Sequence, residues 1–230
     1  MRKTLVLALC VALLAPLAFA QTNVLSQNAV GYVKVTADRD AFALVRNDFY
    51  DIDGNPTLPE DVLGAQLPFN TSVLVWNGME FEEEKYLAAT KTTPEGWAPN
   101  THVLAPGVGF FINVPASAPA ASYDVYLLGE VPAVATTDVT LAEQFTLTGY
   151  PYPASVSFTN TAMATGPNFN DTLFTWNGAG YDENKYLAAT KTTPEGWSNP
   201  TQEIVPGEGF FFQNVGTARI ASEAKPYAWP

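Results

Sequence analysis

Apolar and polar residues alternate over short stretches along most of this chain, the two-residue period of a strand with one buried face. Residues 30–36, VGYVKVT, alternate apart from their glycine, and residues 122–128, SYDVYLL, do the same. Residues 42–45, FALV, form a short apolar strand. Residues 72–76 and 79–81 flank Asn77-Gly78, which predicts a hairpin with a type I′ turn because both central residues of that turn need positive φ. Residues 172–176, then Asn177-Gly178 and Tyr181, repeat the pattern. Pro106-Gly107 leads into residues 109–114, GFFINV, rich in the aromatic and β-branched residues that strands favour. Pro94 and Gly96 place a type I turn over residues 93–96. Helical periodicity is nearly absent. Residues 58–63 predict one helical turn, with Pro59 early, where its missing N–H does no harm.

The pattern is also duplicated. KYLAATKTTPEGW stands at residues 85–97 and again, unchanged, at 185–197. Residues 73–114 align with 173–214 without a gap, and 23 of the 42 positions are identical. Trp-Asn-Gly, Pro-Gly and Gly-Phe-Phe recur with the thirteen-residue word. Upstream, residues 42–50 face 145–153 after a small change of length. A repeat of this period means two domain-sized units rather than a solenoid. The predicted fold is all-β: two tandem homologous units, each a β-sandwich or a partly open barrel, over residues 21–134 and 135–230. The second unit lacks a clear counterpart of residues 28–33, and residues 218–230 echo the final strand only loosely, so its closing edge is expected to be built differently.

The order NAVGYVKVT (28–36), FALVRNDF (42–49), VWNG (75–78), EGW (95–97), LAPGVGFFINV (104–114) and LLGEVP (127–132) resembles a group of uncharacterised secreted bacterial β-proteins with comparable NAVGYV, PGxGFF and GEVP words. The resemblance implies fold and export. It implies no activity.

The leader points the same way. Arg2 and Lys3 precede an apolar run over residues 5–15, and Ala18-Phe19-Ala20 supplies a small-x-small cleavage site. The run is shorter than the roughly 20 residues of a membrane span. Cleavage after Ala20 is expected, with export to the periplasm, the cell surface or the medium and no integral membrane segment left. Cys10, the one cysteine, leaves with the leader, so the mature chain has no disulfide and relies on burial, with 13% aromatic residues to supply it. Nine basic residues then face 23 acidic ones. A surface this acidic repels nucleic acid and anionic lipid.

Candidate chemistry is sparse. His102 is the one histidine, its duplicate position holds Gln202, and it reads as an exposed loop residue. Glu82, Glu83 and Glu84 read as a charged strand edge that discourages edge-to-edge pairing. Asp51, Asp53 and Asn55 have calcium-loop spacing, but Pro56 and Val62 stand where such a loop needs glycine and a bidentate acid, so a turn is expected. No catalytic residue, metal site or cofactor is predicted. The ligand-binding candidates are the repeated rings Trp97, Trp197, Trp76, Trp176, Tyr86 and Tyr186, with Trp97 and Trp197 foremost because each borders a turn. The competing reading makes these rings core, where each buries up to about 250 Å². Lys91, Thr92, Thr93 and Glu95 are not required for folding, so their repetition marks either a shared surface or a recent duplication. The expected function is that of a non-enzymatic structural or cell-surface interaction protein, with self-association or envelope polysaccharide as partner. The alternative is a pair of carbohydrate-binding modules.

Overall fold

The computed structural model describes residues 29–228. The expected export leader lies outside them. Unit one comprises strands β1 (Val30–Asp38), β2 (Phe42–Arg46), β3 (Ser72–Trp76), β4 (Phe81–Leu87), β5 (Gly96–Ala98), β6 (Gly109–Asn113) and β7 (Ser122–Glu130), with one helical turn, α1 (Pro59–Leu63). Unit two comprises β8 (Thr136–Leu141), β9 (Gln144–Thr148), β10 (Val156–Ser157), β11 (Thr172–Trp176), β12 (Tyr181–Leu187), β13 (Gly196–Trp197), β14 (Glu203–Ile204), β15 (Phe210–Asn214) and β16 (Arg219–Ala224).

The two units share one topology. The antiparallel order β2-β6-β3-β4-β5 in the first corresponds to β9-β15-β11-β12-β13 in the second. The first and last strands of each unit form a separate antiparallel ribbon, β1 with β7 and β8 with β16. The duplication therefore runs through the whole second unit, and its closing edge is built as in the first. Residues 136–141 replace the NAVGYV word with a polar alternation that keeps only the inward residues apolar, Val139 and Leu141. A word match misses such a strand because its outward residues are free to change.

Each unit is a two-layer structure. In unit one the ribbon's inward residues, Ala37, Val125 and Leu127, meet Val73, Phe110 and Ile112 of the five-stranded sheet, with Val62 and Leu63 of α1 closing the core. In unit two Val139, Leu141 and Ala221 meet Leu173, Phe210 and Phe212. The hairpins form where Asn-Gly predicts them, but with a different turn. Trp76 pairs with Phe81 and Trp176 with Tyr181, so four residues lie between the strands. The Asn77 side chain accepts the N–H groups of Met79 and Glu80, and Gly78 alone takes positive φ, at 101°. An asparagine folded over its own loop replaces the second positive φ of a type I′ turn. The bend in the repeated word closes through Thr90 N–H to the Thr93 carbonyl, at 2.8 Å, three residues before the predicted turn.

The units meet through the outer faces of their five-stranded sheets. Leu44, Phe111, Leu147 and Phe211 form a third apolar cluster, joined by Leu74, Trp76, Phe174 and Trp176. The contacts obey a pseudo-two-fold axis. Trp76 Nε1 donates to the Phe145 carbonyl at 3.2 Å, and Trp176 Nε1 donates to the Phe42 carbonyl at 2.8 Å. Val45 bridges to Glu208 as Thr148 bridges to Val108. The glycine of each Gly-Phe-Phe word makes this approach possible. A Cβ on Gly209 would lie 2.5 Å from the Val45 carbonyl oxygen, and one on Gly109 would lie 2.9 Å from that of Thr148.

One fastening breaks the symmetry. Arg46 and Asp48 form a fully buried ion pair. Arg46 Nη2 reaches the Tyr152 carbonyl at 3.1 Å, and Asp48 accepts the Gly207 N–H at 2.6 Å, so both side chains of unit one engage unit two. The position equivalent to Arg46 is Gly149, whose missing side chain leaves room for the arginine stem.

Gly209→Ala pushes Val45 away and opens the seam. We expect it to cost about 2–4 kcal/mol of stability, read by chemical denaturation. Gly180→Ala, in open space, serves as the neutral control. Asp48→Ala strands a buried guanidinium and is expected to cost about 3–5 kcal/mol in the same measurement.

Candidate functional site: an aromatic cleft at the seam

Strand alternation dictates where the cleft forms. In Gly-Phe-Phe, consecutive rings point to opposite faces of the sheet. Phe110 and Phe210 enter their own cores and are fully buried. Phe111 and Phe211 must point outward, and each is covered by the other unit: Phe111 meets Trp176 at 5.7 Å and Phe211 meets Trp76 at 5.9 Å, both edge to face. Edge-to-face pairs of this kind add about 0.5–1.5 kcal/mol beyond their buried area.

The covering is incomplete. Trp76, Phe81, Phe145, Phe174, Tyr181 and Phe211 line a hollow of about 380 Å³. Phe211 forms its floor, with Phe81 at 6.2 Å, Tyr181 at 6.0 Å and Phe145 at 6.3 Å. Phe81 and Tyr181, at equivalent positions beyond the two hairpin loops, are each 41% exposed, and Phe145 is 37% exposed. The Trp76 indole N–H is committed to the Phe145 carbonyl. The Tyr181 hydroxyl is thus the one side-chain polar group among the six lining residues left to address a ligand. On the same sheet face, two and four residues beyond Phe81, stand Glu83 and Lys85, paired at 3.3 Å. Ser72 donates to the same Glu83 carboxylate.

Of the six rings singled out by sequence, the structure brings Trp76 and Trp176 to this seam. The other four lie elsewhere. Trp97 is 6% exposed, packs at a tilt against Tyr86 at 5.5 Å and donates Nε1–H to the Gly64 carbonyl. Trp197 is half-buried against Phe158 at 4.8 Å and against Tyr186 at 5.6 Å. The turn beside each tryptophan folds the indole inward, so Trp97 offers no flat face to solvent. Phe81, Phe145, Phe174, Tyr181 and Phe211 are not legible as site residues in the sequence. The available signal was the doublet itself, since a sheet that buries one phenylalanine of a pair must find cover for the other.

The acidic run of β4 also departs from expectation. Glu82 and Glu83 are exposed, but Glu84 is fully buried. Glu84 Oε1 accepts the N–H groups of Thr101 at 2.7 Å and His102 at 2.8 Å and meets His102 Nδ1 at 2.6 Å. His102 Nε2 meets Glu82 at 2.6 Å. The histidine is not a free loop residue. It is clasped between two carboxylates because β4 directs Glu82 and Glu84 to one face. Partial burial disfavours the imidazolium, but the hydrogen bonds and charges of Glu82 and Glu84 outweigh this and raise its pKa above the ordinary 6.5. Burial pushes the Glu84 carboxyl up, and the backbone N–H groups of His102 and Thr101 with the His102 ring pull it, on balance, below its usual range. In unit two Asn184 and Gln202 stand at these positions, and Asn184 holds the loop by neutral bonds to Asn199. Asp51 Oδ1 accepts the N–H groups of Asp53 and Asn55, both at 3.0 Å, which folds that loop on itself.

Comparison with protein-family models, with curated proteins and with solved structures finds no match to this chain.

The clasp makes a pH prediction. A histidine with a raised folded pKa contributes its full stability below about pH 6.5 and loses it as pH rises through the folded value. The two glutamates, whose folded pKa values are depressed, contribute above about pH 4.5 and lose their share on acidification. The clasp is therefore strongest between those limits. His102→Gln should flatten the fall in stability above pH 6.5, measured by denaturation across pH. The His102 imidazole should titrate above 6.5 by NMR.

Proposed function

We propose that this is an exported, non-enzymatic interaction protein whose binding surface is the aromatic cleft between its two units. The observation that carries the reading is the partial exposure of Phe81, Phe145 and Tyr181 around a hollow of about 380 Å³. A chain without disulfides gains stability from every ring it buries, by about 25 cal/mol per Å². Rings left open at the junction of two folded units mark a place where something else completes the burial. The chemistry of the walls selects an apolar or aromatic face, since the Trp76 donor is already spent. His102 supports the non-enzymatic reading, because both of its ring nitrogens face carboxylates and neither is free to take a proton from a substrate.

A carbohydrate partner is the second reading. Glu83 and Lys85, on the face that carries Phe81, are polar groups that could bond sugar hydroxyls beside the ring. The two readings divide cleanly by experiment. Phe81→Ala with Tyr181→Ala removes the two most open hairpin rings while leaving Phe211 in place. Truncating central rings typically costs about 2 kcal/mol or more of binding, roughly thirtyfold in affinity. Retardation on an envelope polysaccharide in affinity electrophoresis, lost in the double variant, supports the glycan. Mass growth with concentration in light scattering, lost in the same variant, supports self-association. Wild-type and variant protein behaving alike in both assays would remove the cleft as the binding surface.

A further inference from the structure

The duplication lets one half of the molecule serve as a control for the other. Within the gapless alignment of residues 73–114 with 173–214, five positions buried in both units have changed between them: Val73 to Leu173, Glu84 to Asn184, Leu104 to Ile204, Ile112 to Phe212 and Val114 to Asn214. Buried positions are the ones where substitution costs most. Yet residues 87–95 and 187–195, exposed at every position in both units, are identical. A duplication too recent to have diverged would leave the cores identical as well. The exposed loop has been held constant while the interior drifted.

Part of that constancy has a structural cause. Thr90 Oγ1 accepts the N–H groups of Thr92 and Thr93, and Thr190 does the same for its loop, with the same distances of 3.3 and 3.0 Å. Glu95 accepts the Tyr86 hydroxyl at 3.0 Å. Gly96 and Gly196 take φ of 152° and 157°. Ala88, Ala89, Lys91, Thr92 and Thr93 are not explained this way. Among the described residues, the side chains of Lys91, Thr92 and Thr93 make no hydrogen bond or ion pair, and neither do those of their duplicates. The loop also lacks the Trp, Tyr and Arg anchors that carry binding energy in protein interfaces. What it presents twice, in one conformation, is a pair of free threonine hydroxyls between a lysine and a proline. Threonine and proline together are the composition of O-glycosylated segments.

We propose that Thr92 or Thr93, and the equivalent Thr192 or Thr193, are acceptors for an O-linked sugar added by a glycosyltransferase that reads this loop. The threonine oxygen attacks the anomeric carbon of a diphosphate-activated sugar. A new carbon–oxygen bond forms, the bond from that carbon to the phosphate oxygen breaks, the diphosphate leaves with the electron pair, and the hydroxyl proton passes to a base of the transferase. Identity across the two loops follows because one enzyme reads both. The site is separate from the aromatic cleft and stands without it.

The test is the mass of the proteolytic peptides that carry residues 87–96 and 187–196, taken from protein purified from its native host. Fragmentation that keeps glycosidic bonds intact locates the attachment. Both peptides should carry the same increment, a whole number of sugar residues, on Thr92 or Thr93 and on its duplicate. T92A/T93A should lose the first increment, keep the second, and leave Tm within a degree or two because the loop side chains are solvent-exposed. Unmodified mass in both peptides overturns the proposal, and so does modification of one loop without the other.

Discussion

Backbone must touch backbone where the two units meet, and most of the molecule's architecture follows from that requirement. The Val45 carbonyl oxygen lies only 2.5 Å from where a Cβ of residue 209 would stand, and the Thr148 backbone comes nearly as close to residue 109. Only glycine admits such an approach. Once it is made, Phe111 and Phe211 are carried across the seam to the tryptophans of the opposite hairpins. Each sheet thereby gains a second apolar face that a lone unit would expose to water. The Gly-Phe-Phe word is thus one device with three parts: a close approach, a ring for the unit's own core and a ring for its neighbour.

Charged and polar fastenings have diverged around this constant frame. Unit one supplies Arg46 and Asp48 to the seam, and unit two supplies the space at Gly149, the Tyr152 carbonyl and the Gly207 N–H. A buried ion pair of this kind adds little net stability, since desolvation offsets most of its Coulomb energy. Breaking it is costly, so it discriminates among relative placements of the sheets. The loop before β6 and its counterpart are likewise held by different chemistry, an imidazole between carboxylates in one unit and amide bonds in the other. Equivalent backbones have kept the contact while exchanging the groups that make it.

The cleft is a by-product of the same geometry. Two twisted sheets packed through their outer faces meet along a limited band. At the hairpins the cover is incomplete, and Phe81 and Tyr181 remain partly open. Phe81 and Tyr181 occupy equivalent positions on β4 and β12, so the symmetry that built the seam also places an aromatic ring on each wall. Non-identical neighbours such as Leu74 and Phe174 make the two sides of the axis unequal, and the hollow lies on the side with the larger ring.

Alternation, turn residues and repetition established the all-β class, most strands of the first unit and the doubling of the segment around the repeated word, because these depend on local backbone preference and on which face of a strand is apolar. The order of strands in each sheet and the ribbon that closes the second unit came only from the structure. The identity of the thirteen-residue word was equally plain. Its division into core, turn and free surface was not, since Trp97 and Thr92 repeat equally well in the sequence while one is buried and the other solvated. The burial of Glu84, the clasping of His102 and the gathering of Phe81, Tyr181 and Phe211 belong to the tertiary structure alone. Each joins residues from separate strands or units, and hydrophobic patterning says which face of a strand is covered without saying what covers it.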